Sequence, residues 1–151
     1  MIYCYVVSRS SKRPLPTNQE RCDMAKDNKY VAQLLHLEII QNYNLDLADE
    51  VIHPDCIIHT PVADPRPGVG PETAKGMARY DKDLFPQGMT FDHYNVFGDG
   101  DLVGFCWIAK GVHKSGTPLE FKGIDVVRIA EGKIAEVWVS YDLMGIQSQL
   151  T

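Results

Sequence analysis

Between Thr90 and Asp142 the chain carries four runs with strand patterning, Thr90–Phe97, Leu102–His113, Leu119–Ala130 and Lys133–Asp142. They are separated only by "GDGD", "KSGT" and "EG". These are turn residues, and connections this short join antiparallel neighbours, because a parallel crossover needs a dozen residues or more. The second half of the chain is therefore an antiparallel meander. Helical patterning precedes it, so the expected class is α+β, with the helices packed on one face of a curved sheet.

Three helices are expected before the sheet. In "DNKYVAQLLHLEIIQNYN", Val31, Leu34, Leu35, Ile39 and Tyr43 recur at helical spacing behind a cap at Asp27 or Asn28. "LDLADEVI" is a shorter helix stopped by His53-Pro54, and "CIIHTP" is a short extended segment. "PRPGVG" is a loop, and "PETAKGMARYDKDLFP" is a helix opened by one proline and closed by another. "LMGIQSQL" adds at least a turn of helix at the end, and Asp142 is placed to cap it. Residues 1–27 mix Ser, Pro and charge and read as an N-terminal extension. Residues 28–151 form the folded domain.

Composition narrows the function. The chain has 151 residues, enough for one domain with a sizeable core, and a net charge of −5 with no basic stripe. Nucleic-acid binding is not expected. Cys4, Cys22, Cys56 and Cys106 have neither metal nor disulfide spacing, which suits a reduced, cytoplasmic setting. "MIYCYVV" is too short to span a membrane and lacks the basic start of a signal peptide. The histidines and acids show no metal-ligand spacing, so no metal and no cofactor are expected.

Asp125 stands out, an acid between Ile124 and Val126 in a half-buried run. Turn length sets register, and register sets facing. A three-residue Ala130-Glu131-Gly132 loop pairs Ile129 with Lys133 and places Asp125 opposite Val137. One face then carries Phe121, Gly123, Asp125, Val127 and Ile129 with Ala135, Val137, Val139 and Tyr141. The other face holds most of the charge, together with Ile124, Val126, Ile134 and Trp138. A two-residue turn would instead bring Glu136 and Asp142 onto the apolar face. On the far side, a Lys114-Ser115-Gly116 loop puts Asp125 opposite Phe105 and Gly123 opposite Trp107, leaving room for the indole or a stacked ligand. Asp125 thus projects into an apolar, aromatic-lined concavity. Desolvation raises a carboxyl pKa there, and an acid near neutrality suits general acid–base work. The competing reading is a structural acid held by a backbone amide or a tyrosine hydroxyl.

The succession "LADEVIHPDCIIHTP", "GPETAKGMARY" and "FKGIDVVRIAEGKIAEVWVSYDLMG" resembles the SnoaL-like polyketide cyclases, within the nuclear-transport-factor-2-like superfamily. The resemblance covers roughly Lys29 to Thr151. It implies a cone-shaped α+β barrel, with the helices in the concave face around a deep apolar pocket, and homodimers paired through the outer face of the sheet. Cys106, Ile108, Val112 and Trp138 suit such pairing. It implies cofactor-free acid–base chemistry on a small apolar molecule. The aspartate of the true cyclases lies three residues before the acid matched by Asp142, a position held here by Val139. Their pocket histidine is matched by Asp125. Both key positions differ, so the expected activity is a proton transfer (cyclase, isomerase or hydrolase). The alternative is a non-catalytic binder of a hydrophobic ligand or an oligomeric accessory domain.

The resemblance also places a polar pocket residue at His59, which is expected to assist Asp125. Phe105, Trp107, Val139 and Tyr141 are expected to shape the pocket, with Tyr30, Met77 and Tyr80 as its helical wall. His36 falls on a flank of the first helix's apolar stripe, His93 has no clear facing, and His113 sits beside a hairpin turn.

Overall fold

A computed structural model describes residues 28–61 and 68–151. The expected extension, residues 1–27, the Asp27 cap and the first half of the "PRPGVG" loop lie outside them. Helix α1 covers residues 28–41 and changes from α- to π-helical at Leu35–Gln41. Then come α2 (Leu47–Val51), β1 (Ile52–His59), α3 (Pro71–Leu84), β2 (Met89–Asp99), β3 (Leu102–Val112), β4 (Pro118–Ala130), β5 (Lys133–Tyr141) and α4 (Leu143–Leu150).

The strands form one curved, unclosed sheet in the order β1-β5-β4-β3-β2. The meander β2 to β5 is antiparallel, as its short turns require. The segment around "CIIHTP" is longer than expected. It begins at Ile52, directly after α2, and pairs with β5 in parallel. Pro54 is tolerated because β1 is an edge strand whose register breaks between Ile52 and Ile57. α1 packs on α3 and β2, and α3 on β1. Their buried residues, Leu35, Ile39, Ala74 and Ala78, meet Val103, Phe105, Trp107, Val127 and Val137 from the sheet in one core.

The turn between β4 and β5 corrects the expected register. Ala130 pairs with Lys133, so the loop is the two-residue Glu131-Gly132, with both residues at positive φ. The crowding of acids that such a turn implies is avoided by a bulge. Ile129 pairs with Ile134, but Arg128 pairs with Glu136, so Ala135 is the extra residue. Beyond the bulge Val137, Val139 and Tyr141 face inward, and Glu136 stays outside beside Arg128. Asp125 lies opposite Val139 rather than Val137, and Ile134 is buried rather than outward-facing.

The β3–β4 hairpin has the expected register, with Phe105 opposite Asp125 and Trp107 opposite Gly123. The space above Gly123 is filled by the indole. A Cβ there would overlap Trp107 Cζ2 and crowd the Ser140 carbonyl. Gly123→Ala should therefore destabilise the fold by about 1–3 kcal/mol through overpacking. It should also displace the Trp107 ring. Urea unfolding followed by tryptophan fluorescence measures both effects, and an unchanged midpoint would refute the close approach.

Candidate active site

Three rows of residues cross the inner face of the sheet. Phe91, Ala109 and Phe121 make one row. His93, Trp107, Gly123 and Tyr141 make the next, and Phe105, Asp125 and Val139 the third. Asp125 is 1% exposed. Trp107 Nε1 donates to its Oδ1 at 2.7 Å. His36 Nε2, from α1, stands 3.3 Å from Oδ2, and Oδ2 accepts no hydrogen bond. The expected donor was a backbone amide, a tyrosine hydroxyl or His59; the partners found are an indole and a different histidine.

His36 is 3% exposed and enclosed by rings. It stacks on Phe91 at 4.4 Å and meets Trp107 and Phe105 edge-on at 5.3 and 5.7 Å. Its Nδ1 is 3.0 Å from His93 Nε2. His93 Nδ1 is 2.9 Å from Gln33 Oε1, and Gln33 Nε2 donates to the Lys29 carbonyl at 2.7 Å. A continuous polar line thus runs from Asp125 through two imidazoles to the side of α1.

Burial governs the charges along this line. Desolvation, opposed by the Trp107 hydrogen bond, raises the Asp125 carboxyl to about 7. Desolvation, with His93 nearby, lowers His36 to about 3. Desolvation, opposed by the Asp92 charge, lowers His93 to about 4. At neutral pH both imidazoles are therefore neutral, and the Asp125 carboxyl stands near the midpoint of its titration. The arrangement can donate a proton from, or return one to, an otherwise apolar interior.

The other expected site residues are divided by the fold. Phe105 and Trp107 are buried beside Asp125, while Val139, Tyr141 and Met77 are half-buried against the core. Tyr30 and Tyr80 are 67% and 53% exposed. His59 is not brought to Asp125. It lies on the opposite face, stacked on Trp138 and 2.9 Å from Glu136 Oε1, because alternation at the end of β1 turns Ile58 inward and His59 out. Asp142 caps α4, accepting from the Gly145 amide at 2.8 Å. His113 lies in the β3–β4 turn against Ser115. Among the described residues, no three His, Cys, Asp or Glu side chains converge as metal ligands. None of their helices is long and apolar enough to cross a membrane.

Sequence reasoning passed over His36, His93 and Gln33. His36 interrupts the run Leu34-Leu35-His36-Leu37 just as Asp125 interrupts its strand, and that was the available signal. At α-helical spacing it falls on the flank of the stripe. The i→i+5 bonding of the π segment re-spaces the faces, and Leu35, His36, Ile39 and Ile40 are all buried.

An open curved sheet with helices on one face places the chain in the nuclear-transport-factor-2-like class of α+β folds. The profile of the SnoaL-like polyketide cyclases matches residues 30–150, and the chain belongs to that family. Similar solved structures include IdmH of Streptomyces antibioticus, a proposed polyketide cyclase. It is 26% identical, with 82% of this chain and 97% of that one covered and a TM-score of 0.70. A proposed polyketide cyclase of Bacillus cereus is 22% identical over 91% and 87% of the two chains, TM-score 0.74. An epoxide hydrolase of M. tuberculosis is 17% identical over 84% and 91%, TM-score 0.68. No curated protein matches the chain by sequence.

The shifted groups make stability pH-dependent in opposing senses. The raised Asp125 gives a contribution present below the ordinary ~3.9 of an aspartate and lost as pH climbs towards 7. The lowered His36 and His93 give contributions present above ~6.5 and lost as pH falls towards 3 and 4. With two histidines against one acid, the melting temperature should rise between pH 4.5 and 6.5. In Asp125→Asn it should rise more steeply, so that the variant gains on the wild type up to about pH 7 and keeps a constant difference above it. Parallel pH slopes for the two proteins in differential scanning fluorimetry would refute the raised carboxyl.

Proposed function

We propose that the protein is a small enzyme that transfers protons to and from an apolar carbonyl, lactone or epoxide compound, with Asp125 as the acid–base group and His36 as its partner. The observation that carries this reading is a single carboxyl, 1% exposed, in contact with a neutral imidazole inside an aromatic core. A structural acid needs no neighbour able to share its proton. His36 takes the partner role expected of His59. Membership of the SnoaL-like family supports the class of chemistry, although folds of this kind host several reactions.

Trp107, Phe105 and His36 close over Asp125, so a substrate enters by displacing the half-buried side of this wall. Val139, in the row of Asp125, and Tyr141, in the next row, form that side, and Met77 of α3 is likewise half-buried against the core. A panel of apolar epoxides, lactones and polyketone mimics tests the reading. Turnover by the wild type should fall ~10²–10⁴-fold in Asp125→Asn, with circular dichroism unchanged. Equal turnover by the two proteins would sink the catalytic role.

Val139 favours a second reading, because the resemblance places the cyclases' aspartate there. On that reading the protein binds a hydrophobic ligand without converting it, and Asp125→Asn changes affinity alone.

The homodimer is part of the same proposal. On the outer face of the sheet, Ile124 and Trp138 are 52% and 39% exposed, with Tyr94 and Phe97 beyond them. Copies paired through this face would cover them. Light scattering should give twice the chain mass for the wild type and the single-chain mass for Ile124→Lys; a monomeric wild type would refute the pairing.

A further inference from the structure

The polar line leaving Asp125 has a direction, and it is set at its outer end. Gln33 Nε2 lies 2.7 Å from the Lys29 carbonyl, which can only accept. The amide is therefore oriented with its nitrogen towards Lys29 and its oxygen towards His93. That oxygen also only accepts, so His93 Nδ1, 2.9 Å away, carries a hydrogen. A neutral imidazole has one N–H, so His93 Nε2 is bare and accepts from His36 Nδ1 at 3.0 Å. His36 is neutral by the same count, and its Nε2 is bare as well. That bare nitrogen is the atom 3.3 Å from Asp125 Oδ2, the buried oxygen that accepts no hydrogen bond.

An ionised Asp125 would set a carboxylate oxygen against a lone pair with no hydrogen between them. The conflict is removed by one proton between Oδ2 and Nε2. We infer that Gln33 and His93 act as positioning residues that hold Asp125 in its protonated form, so that the resting protein is a proton donor and the reaction opens with protonation of a substrate oxygen. This rests on the acid–base role proposed above for Asp125 and adds the order of events. The proton leaves the Asp125 oxygen for the substrate oxygen. The carboxylate so formed takes a proton back from the substrate or from water admitted with it, because each ring holds its hydrogen on the outward nitrogen and has none to pass inward.

The groups facing this line support it. α1 offers His36 and Gln33. β2 offers His93, with Asp92 acting on it. β3 offers the Trp107 N–H, already used on Oδ1, and β5 offers Val137, Val139 and Tyr141. No lysine or arginine comes within ion-pair distance of Asp125 among the described residues, so nothing there favours the carboxylate except the indole.

Nitrogen-15 spectra of the histidine rings, with carbon-13 spectra of the carboxyls, test the inference without any substrate. In the wild type at pH 7 both His36 and His93 should carry their hydrogen on Nδ1, and Asp125 should titrate near 7. Gln33→Met keeps the length of the side chain but removes the acceptor. His93 should then release its Nδ1–H preference, His36 should place its hydrogen on Nε2 facing Asp125, and the Asp125 midpoint should fall by about one unit or more. Rings protonated on Nε2 in the wild type would overturn the inference, as would an Asp125 midpoint unmoved in Gln33→Met. Neither result touches the turnover comparison of Asp125→Asn, so the two proposals fail separately.

Discussion

A carboxyl group in the middle of an apolar core is held in place by the hydrogen bond it receives. Here that bond comes from the indole of Trp107, and the indole reaches Asp125 only because the cross-strand neighbour is Gly123. Left without donors, a buried carboxylate costs several kcal/mol and protonates instead. With one donor on one oxygen, Asp125 sits between those limits. The rest of the interior follows from this. His36 is packed against the second oxygen, Phe91 and Phe105 enclose His36, and His93 continues the line to the helix.

The sheet protects this arrangement by sorting charge between its faces. A two-residue turn at Glu131-Gly132 would by itself put Glu136 on the side of Asp125. The bulge at Ala135 shifts the register by one residue and sends Glu136 out to Arg128 and His59. Two local irregularities, a tight turn and a bulge, thus cancel, and the apolar side of β5 stays apolar. Three acids in one dry core would drive each other's pKa upward and loosen the fold.

Much of this was legible in the residues. Alternation and turn chemistry specified the meander, and the β3–β4 register followed from "HKSGT" with Trp107 over Gly123. The inward facing of Asp125 is also readable, because a two-residue turn with a one-residue bulge leaves Val137, Val139 and Tyr141 on the same face as a three-residue turn without one. The parallel pairing of β1 was not readable, because it depends on a long-range contact with β5 that no local pattern encodes. His59 was misplaced for the related reason that a short strand has no independent mark of which side is buried. His36 was visible as a polar interruption in an apolar run. Its direction was not, because a helix pattern counted at 3.6 residues per turn does not describe a π segment.

That π segment gives the first helix a sensitivity to length. A π turn holds one residue more than the α turn it replaces. Loss of a single residue just after His36 would let the helix close to regular α geometry. Residues before the deletion would then rotate by about 100° relative to those after it. Gln33 and His36 would swing away from His93 and Asp125 together, while Ile39 and Ile40 kept their places against the sheet. A one-codon change could thus convert a polar-centred interior into a plain hydrophobic one without touching the strands. Such an insertion or deletion is a short step between an interior built around a buried polar line and one without it.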